Sequence, residues 1–274
     1  KDFKTNKDCF NILFSKSHIY HKLKEFKKSS EILKQANDLK LLEEPSNLKE
    51  LINYSESIKN KINLDKSFDM PEIKYLRDIF IVGLPRSGTT LVERIISSGK
   101  KFIPIGEETG VIGHYIPKKI LEKESLNLGK DYEIRNEITN IYKDRGLLFE
   151  KYDYTFTDKS LDNFFYLELI NQIFPNAKII NCRRNVLSSM MSIFQNNLTS
   201  LAWTHSIDNI FRYFDNYFNI IDNYISVNPN LVYELNFEKL INNPENESKN
   251  LMEFCELPWD KKCLEFYKRK DLFS

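Results

Sequence analysis

Apolar residues in the first seventy positions recur at helical spacing: Phe10, Leu13 and Phe14, then Ile19, Tyr20 and Leu23. This is the three-and-four step of an amphipathic helix. One proline, Pro45, and no glycine interrupt the stretch, so packed helices are expected throughout. A polar stretch over 65–74 containing Pro71 then reads as a linker. From residue 78 the pattern changes. Asp78-Ile-Phe-Ile-Val-Gly83 is a short apolar run, rich in strand formers and closed by a glycine, and helical periodicity resumes over 90–96. The same strand-then-helix unit follows at 154–157 with 161–174, at 178–182 with 186–196, and at 231–235 with 245–255. Alternating strands and helices predict an α/β domain of three layers, a parallel sheet covered on both faces. Ligands of such sheets sit beyond the carboxyl ends of the strands. The expected division is a helical region over 1–70 and the α/β domain over 71–274.

Within the helical region, residues 17–39 carry a helix, a turn near Lys24-Glu25 and a second helix with Ala36 at the crossing. This resembles one tetratricopeptide unit, which has to stack on something else to bury its apolar face.

The loop Gly83-Leu-Pro-Arg-Ser-Gly-Thr-Thr90 lies where a parallel strand gives way to a helix. Free backbone N–H groups and the positive helix end converge there, which makes an anion site. Gly83 and Gly88 permit the sharp turn, Arg86 brings a permanent charge, and Ser87, Thr89 and Thr90 add hydroxyl donors. Phosphate or sulfate fits. The rival is a P-loop nucleotide kinase, whose loop reads GxxxxGK[ST]. Here the lysine position is Thr89, and the strand over 178–182 runs into Arg183-Arg184 where magnesium chemistry wants an aspartate.

The run Phe80-Ile-Val-Gly-Leu-Pro-Arg-Ser-Gly-Thr-Thr-Leu-Val-Glu93 resembles the 5′-phosphosulfate loop of sulfotransferases, in particular the bacterial family fused to tetratricopeptide repeats and the related tyrosylprotein sulfotransferases. Further ordered segments carry the likeness: Gly106-Glu-Glu-Thr109, Thr157-Asp-Lys-Ser160, Arg183-Arg-Asn185 through Ser192, the run from Val232 to Ile241, Pro244-Glu245, and Leu257-Pro-Trp-Asp260. The resemblance implies a donor, 3′-phosphoadenosine 5′-phosphosulfate, whose 5′-phosphosulfate is surrounded by Pro85, Arg86, Ser87, Gly88, Thr89 and Thr90. It implies that Lys159 contacts the donor and that Arg184 and Ser192 hold the 3′-phosphate. It implies a catalytic glutamate, Glu108 by the tyrosylprotein pattern or Glu107 by the bacterial one. A carboxylate there can accept the acceptor's proton, while Arg86 and Lys159 supply positive charge without an obligatory metal. The chain departs from the family at Val186, where proline is common, at Ser188, where aspartate is common, and at Gly110, where the tyrosylprotein type has arginine.

Composition narrows the partners. Lysine and arginine total 40 against 39 acidic residues, a net charge of +1, so any polyanion affinity is local and no nucleic-acid partner is expected. Cys9, Cys182, Cys255 and Cys263 show no metal or disulfide spacing and are expected as reduced, buried thiols. No run approaches the roughly 18 apolar residues of a membrane span, and the start lacks a signal-peptide core, so a cytoplasmic protein is expected. A start without Met and a basic end over 268–274 lead to the expectation of a fragment of a longer protein, with further donor contacts beyond Ser274 implied by the resemblance. His114 is expected on the acceptor side or in a structural role, and Trp203 with Phe211, Tyr213, Phe214, Tyr217 and Phe218 as core and cleft wall. The acceptor is expected to carry a hydroxyl: a protein tyrosine, a saccharide or a small metabolite, with a macromolecule hinted at by the helical region. The alternative from another class is an inactive anion-binding scaffold.

Overall fold

The computed structural model describes residues 6–63, 78–123, 126–127, 132–148 and 154–268. The expected linker over 65–74 lies outside them. Contacts divide the chain into two units, residues 1–54 with 185–218 and residues 55–184 with 219–274. The boundary expected at residue 70 is one of sequence; grouping by contact places 185–218 with the N-terminal helices.

In the first unit, α1 (Asn6–Lys22) and α2 (Phe26–Glu43) form a helical hairpin, followed by the start of α3 (Leu48–Asn60). The hairpin turns where expected, with Lys24 in the left-handed region at φ 62. Ser17 and Ser29 lock it, each hydroxyl donating to the other's carbonyl at 2.9 Å. Ala36 is fully buried and packs with Phe14, Leu33 and Phe194. The Asn37 amide donates to the carbonyls of Leu33 at 2.9 Å and Phe194 at 3.1 Å. Its oxygen accepts from the Nδ1 of buried His205 at 2.8 Å. Trp203 stacks on Tyr213 with ring centroids 4.0 Å apart. Both are buried, as are Phe214 and Tyr217. Phe211 departs from the expected core, standing exposed.

The second unit contains the sheet. After the short β1 (Ile62–Asn63) come β2 (Ile79–Gly83), α4 (Thr89–Ser97), α5 (Val111–Lys123), β3 (Leu126–Asn127), α6 (Tyr132–Asp144), β4 (Thr157–Asp158), α7 (Leu167–Ile173) and β5 (Lys178–Arg183). The chain passes through α8 (Val186–Phe194) and α9 (Ile207–Val227), then returns with β6 (Val232–Asn236), α10 (Phe237–Asn242) and α11 (Pro244–Phe254). The four main strands are parallel in the order β4-β2-β5-β6, and β1 pairs separately with β3. Successive side chains of a strand point to opposite faces, and β2 shows it. Phe80 joins a core with residues of α5, α6 and α7, while Ile79 and Ile81 join another with residues of α4 and α11. Helices therefore cover both faces, as the alternation predicted.

Three expectations need correction. The strand expected over 154–157 is only Thr157–Asp158, because Tyr154 takes a left-handed φ of 51 that no strand accommodates. The helix expected over 161–174 starts as a 3-10 turn, Asn163–Tyr166, before α7. Buried Asp158 draws the Ser160 N–H and the Asn163 amide onto its own carboxylate, a local competition that disfavours a regular helix start. Among the cysteines, Cys182, Cys255 and Cys263 are buried, but Cys9 is half-exposed. Burial pushes the Cys182 thiol well up and Cys255 up to about 12, which leaves both inert.

Candidate active site

β2 is buried along its whole length and ends at Gly83. The chain then turns sharply, with the Ser87 N–H donating to the Leu84 carbonyl at 3.0 Å. Arg86 and Gly88 sit in the left-handed region at φ 69 and 99. Gly88 is the N-cap of α4 and supplies no side-chain cap, so the first N–H groups of the helix face outward for a ligand. Only glycine fits there, since a Cβ would run into the Phe237 ring. Ser87 is 1% exposed, and its hydroxyl has no partner among the described residues. A buried hydroxyl without a partner is costly in a finished fold, and an anion oxygen seated in the loop would satisfy it. Thr89 is half-buried, and Thr90 and Arg86 are exposed.

The adjoining strands deliver the other groups. At the end of β5 the two arginines part: Arg183 pairs with Asp222 and Glu234, whereas Arg184 turns to the loop. Its guanidinium donates to the Arg86 carbonyl at 2.8 Å and lies 4.8 Å from the centroid of Phe237, the first residue of α10 after β6. Arg86, Arg184 and Phe237 thus gather at the ends of three neighbouring strands. Ser192 is half-buried on α8, in the other unit.

Lys159 follows β4 directly. The segment over 104–107 runs beside it: Thr157 N–H donates to the Pro104 carbonyl at 3.2 Å, Gly106 N–H to Thr157 at 2.9 Å, and Lys159 N–H to Glu107 at 2.8 Å. Beneath, Asp158 accepts from the hydroxyls of Thr109, Tyr142 at 2.8 Å and Ser160 at 2.6 Å. The Ser160 hydroxyl in turn accepts the Gly110 N–H at 2.8 Å. Both carboxylates of the pair are exposed. The one that meets Lys159 is Glu108, at 3.3 Å from its Nζ. Glu107 is held in the left-handed region at φ 52, uncommon for a residue with a side chain and of the kind that concentrates at functional sites. His114 is exposed, with Nδ1 2.6 Å from the carbonyl of Gly110, the residue just before its own helix. Arg145, at the end of α6, donates to the Thr109 carbonyl.

One acid was not singled out by the sequence. Glu93, on the second turn of α4, is 1% exposed. It accepts from the Thr157 hydroxyl at 2.8 Å and from the Glu107 N–H at 3.1 Å. Burial pushes its carboxyl up to about 7, held back by those two donors and by Lys159. Its signal in the sequence is faint: an acid four positions after Thr89, in a helix whose apolar residues Val92, Ile95 and Ile96 flank it.

A family model described as the Sulfotransferase family matches residues 78–261, two thirds of the sequence. The chain belongs to the sulfotransferase family. It is 32% identical over 276 residues to an uncharacterized protein of Aquifex aeolicus (strain VF5), covering 92% of this chain and 35% of that one. It is 31% identical over 206 residues to the protein-tyrosine sulfotransferase A of Caenorhabditis elegans, covering 68% of this chain and 51% of that one. The sulfotransferase-family chain thus spans about a third to a half of the length of these curated relatives. Among solved structures it resembles the sulfotransferase domain of the Synechococcus PCC 7002 olefin synthase, with a TM-score of 0.53 at 18% identity over 76% of this chain and 83% of that one. The sulfotransferase domain from the curacin biosynthetic pathway gives 0.52 at 19% identity over 71% and 79%. These two likenesses show the fold.

Proposed function

We propose that the domain transfers a sulfuryl group from 3′-phosphoadenosine 5′-phosphosulfate to an acceptor hydroxyl. One observation carries the reading: a helix-start anion loop with Arg86, a lysine beside an exposed carboxylate, and Arg184 bonded to the loop converge at the carboxyl ends of four parallel strands. The donor, when bound, supplies a sulfuryl group whose S–O bond to phosphate breaks as the bond to the acceptor oxygen forms. The unpartnered Ser87 hydroxyl and the Cβ-free N-cap at Gly88 fit its 5′-phosphosulfate.

The roles of the chain's own residues follow from their placement. Pro85 to Thr90 bind, with N–H groups and hydroxyls on phosphate oxygens and Arg86 toward the transferring group. Lys159 offsets the negative charge that builds on the departing phosphate oxygen. Glu108, beside Lys159, takes the acceptor's proton in preference to Glu107. Arg184, braced against Phe237, holds the 3′-phosphate. The relative named a protein-tyrosine sulfotransferase supports a peptide tyrosine as the first acceptor to try, with saccharide hydroxyls beside it because Gly110 stands where that type carries arginine. No described helix is long and apolar enough to cross a membrane. The compact hairpin crossing at Ala36 supports reading α1 and α2 as one tetratricopeptide unit for a macromolecular partner.

Calorimetric titration with 3′-phosphoadenosine 5′-phosphate, beside magnesium-ATP and the analogue lacking the 3′-phosphate, tests the reading. Selective binding of the bisphosphate is expected. A preference for magnesium-ATP would turn the assignment to a kinase, and binding of neither would favour an inactive scaffold.

A further inference from the structure

We propose that Glu93 is a positioning residue for sulfuryl transfer: from the helix that starts at the donor loop it fastens the Glu107–Glu108 turn beside Lys159, and it does so in its ionised form. The inference rests on the sulfotransferase reading above and gives a role to a residue for which the resemblance implied none.

The geometry is specific. Glu107 has both of its backbone polar groups fixed from different sides: its N–H donates to Glu93 at 3.1 Å, and its carbonyl accepts from Lys159 N–H at 2.8 Å. A residue at φ 52 stays in the left-handed region only where its surroundings over-determine it. The Glu93 bond is one of the two restraints that do so. Release of the N–H lets the turn relax toward ordinary φ and carries Glu108, the next residue, away from the Lys159 ammonium. Because Glu93 also accepts the Thr157 hydroxyl through the same Oε1, it ties three parts of the site together: the donor helix, the strand that leads to Lys159, and the turn that carries the candidate base.

The charge state matters because two donors converge on one oxygen. An ionised carboxylate accepts both with its full charge; once a proton sits on the other oxygen, Oε1 is a neutral and weaker acceptor for the two donors. The charged groups that face Glu93 are Lys159, from the segment after β4, which favours ionisation, and Glu107, which opposes it. Burial is the larger influence and pushes the carboxyl up to about 7, so protonation and loosening of the turn fall within an accessible pH range. A buried glutamate that merely completes the core would have no such link to the turn.

The amide of Glu107 reports the bond directly. In 15N-labelled protein its resonance is expected to titrate near pH 7 in the wild type and to stay flat in Glu93→Gln, which keeps the shape and loses the charge. Glu93→Leu is expected to speed hydrogen exchange at the same amide. With a pool of tyrosyl peptides and saccharides as acceptors, Glu93→Gln is expected to slow sulfuryl transfer from the donor on the order of tenfold, about what one hydrogen bond contributes. Its affinity for 3′-phosphoadenosine 5′-phosphate should stay within about twofold, since the donor loop itself is untouched. A Glu107 amide that does not titrate, or that still titrates in Glu93→Gln, overturns the proposal; so does a parallel loss of bisphosphate affinity and turnover, the mark of a general structural role. A wild-type protein that fails to bind the bisphosphate while the amide titrates refutes the sulfotransferase reading instead, leaving the Glu93 bond itself demonstrated.

Discussion

Replacing Glu93 by glutamine removes one buried charge and keeps the side chain's shape, so it isolates what that charge costs the fold. The carboxyl is raised from 4.5 to about 7, chiefly by burial. Its folded value lies above its unfolded one, so the native state binds the proton more tightly and the stability associated with this group grows as pH falls from about 7 toward 4.5. At about 1.36 kcal/mol per pH unit, the ionised form costs the fold about 3 kcal/mol above pH 7. Most of that, about 2.5 kcal/mol, should appear between pH 5 and pH 8. Glutamine carries no such cost. Any constant penalty, from a weaker acceptor or an extra N–H, enters at both pH values and cancels in the comparison. Urea unfolding of wild type and Glu93→Gln at pH 5 and at pH 8 therefore should show the variant gaining about 2.5 kcal/mol on the wild type at the higher pH. A stability difference that is the same at both pH values, within about 0.5 kcal/mol, would show that Glu93 titrates at an ordinary value and that its burial carries no charge penalty.

Two further outcomes follow from the geometry. Lys159→Ala should lower sulfuryl-transfer turnover by about a hundredfold or more while calorimetric affinity for 3′-phosphoadenosine 5′-phosphate changes little; unchanged turnover would remove Lys159 from the mechanism. In the other unit, burial holds the His205 imidazole down at about 4, with Lys40 adding to the effect. Its folded value lies below its unfolded one, so stability is lost as pH falls from about 6.5 toward 4. The urea midpoint of wild type should fall over that range more than that of His205→Gln, and equal falls would refute the assignment.

The parts of the molecule legible in the sequence are those whose cause is local. The loop over 83–90 announces itself because a tight strand-to-helix turn with a left-handed N-cap needs glycine there, and the alternation of short apolar runs with helical periods suffices to predict the parallel sheet. Glu93 was not legible, because its partners lie 14 and 64 positions away and a lone acid in an amphipathic helix reads as solvated. Phe237 was hidden for another reason: among 20 phenylalanines, nothing local marks the one that props Arg184. The shortness of β4 was equally opaque, since Tyr154 and Phe156 favour a strand by propensity and the left-handed φ of Tyr154 decides otherwise. The grouping of 185–218 with the N-terminal hairpin depends on Asn37 reaching Phe194 and His205, contacts that no window along the chain contains.

The segment over 104–107 has a second consequence, for association between molecules. β4 is the outermost strand of the four, and an open outer strand offers its backbone to any passing chain. Here that side is occupied: Ile105 bridges Thr157, and Gly106 and Pro104 take up its backbone groups. The stretch that leads into Glu108 is also the cover that keeps the sheet from growing by edge-to-edge pairing. A substitution over 104–107 therefore bears on the closure of that sheet edge as well as on the placement of Glu107.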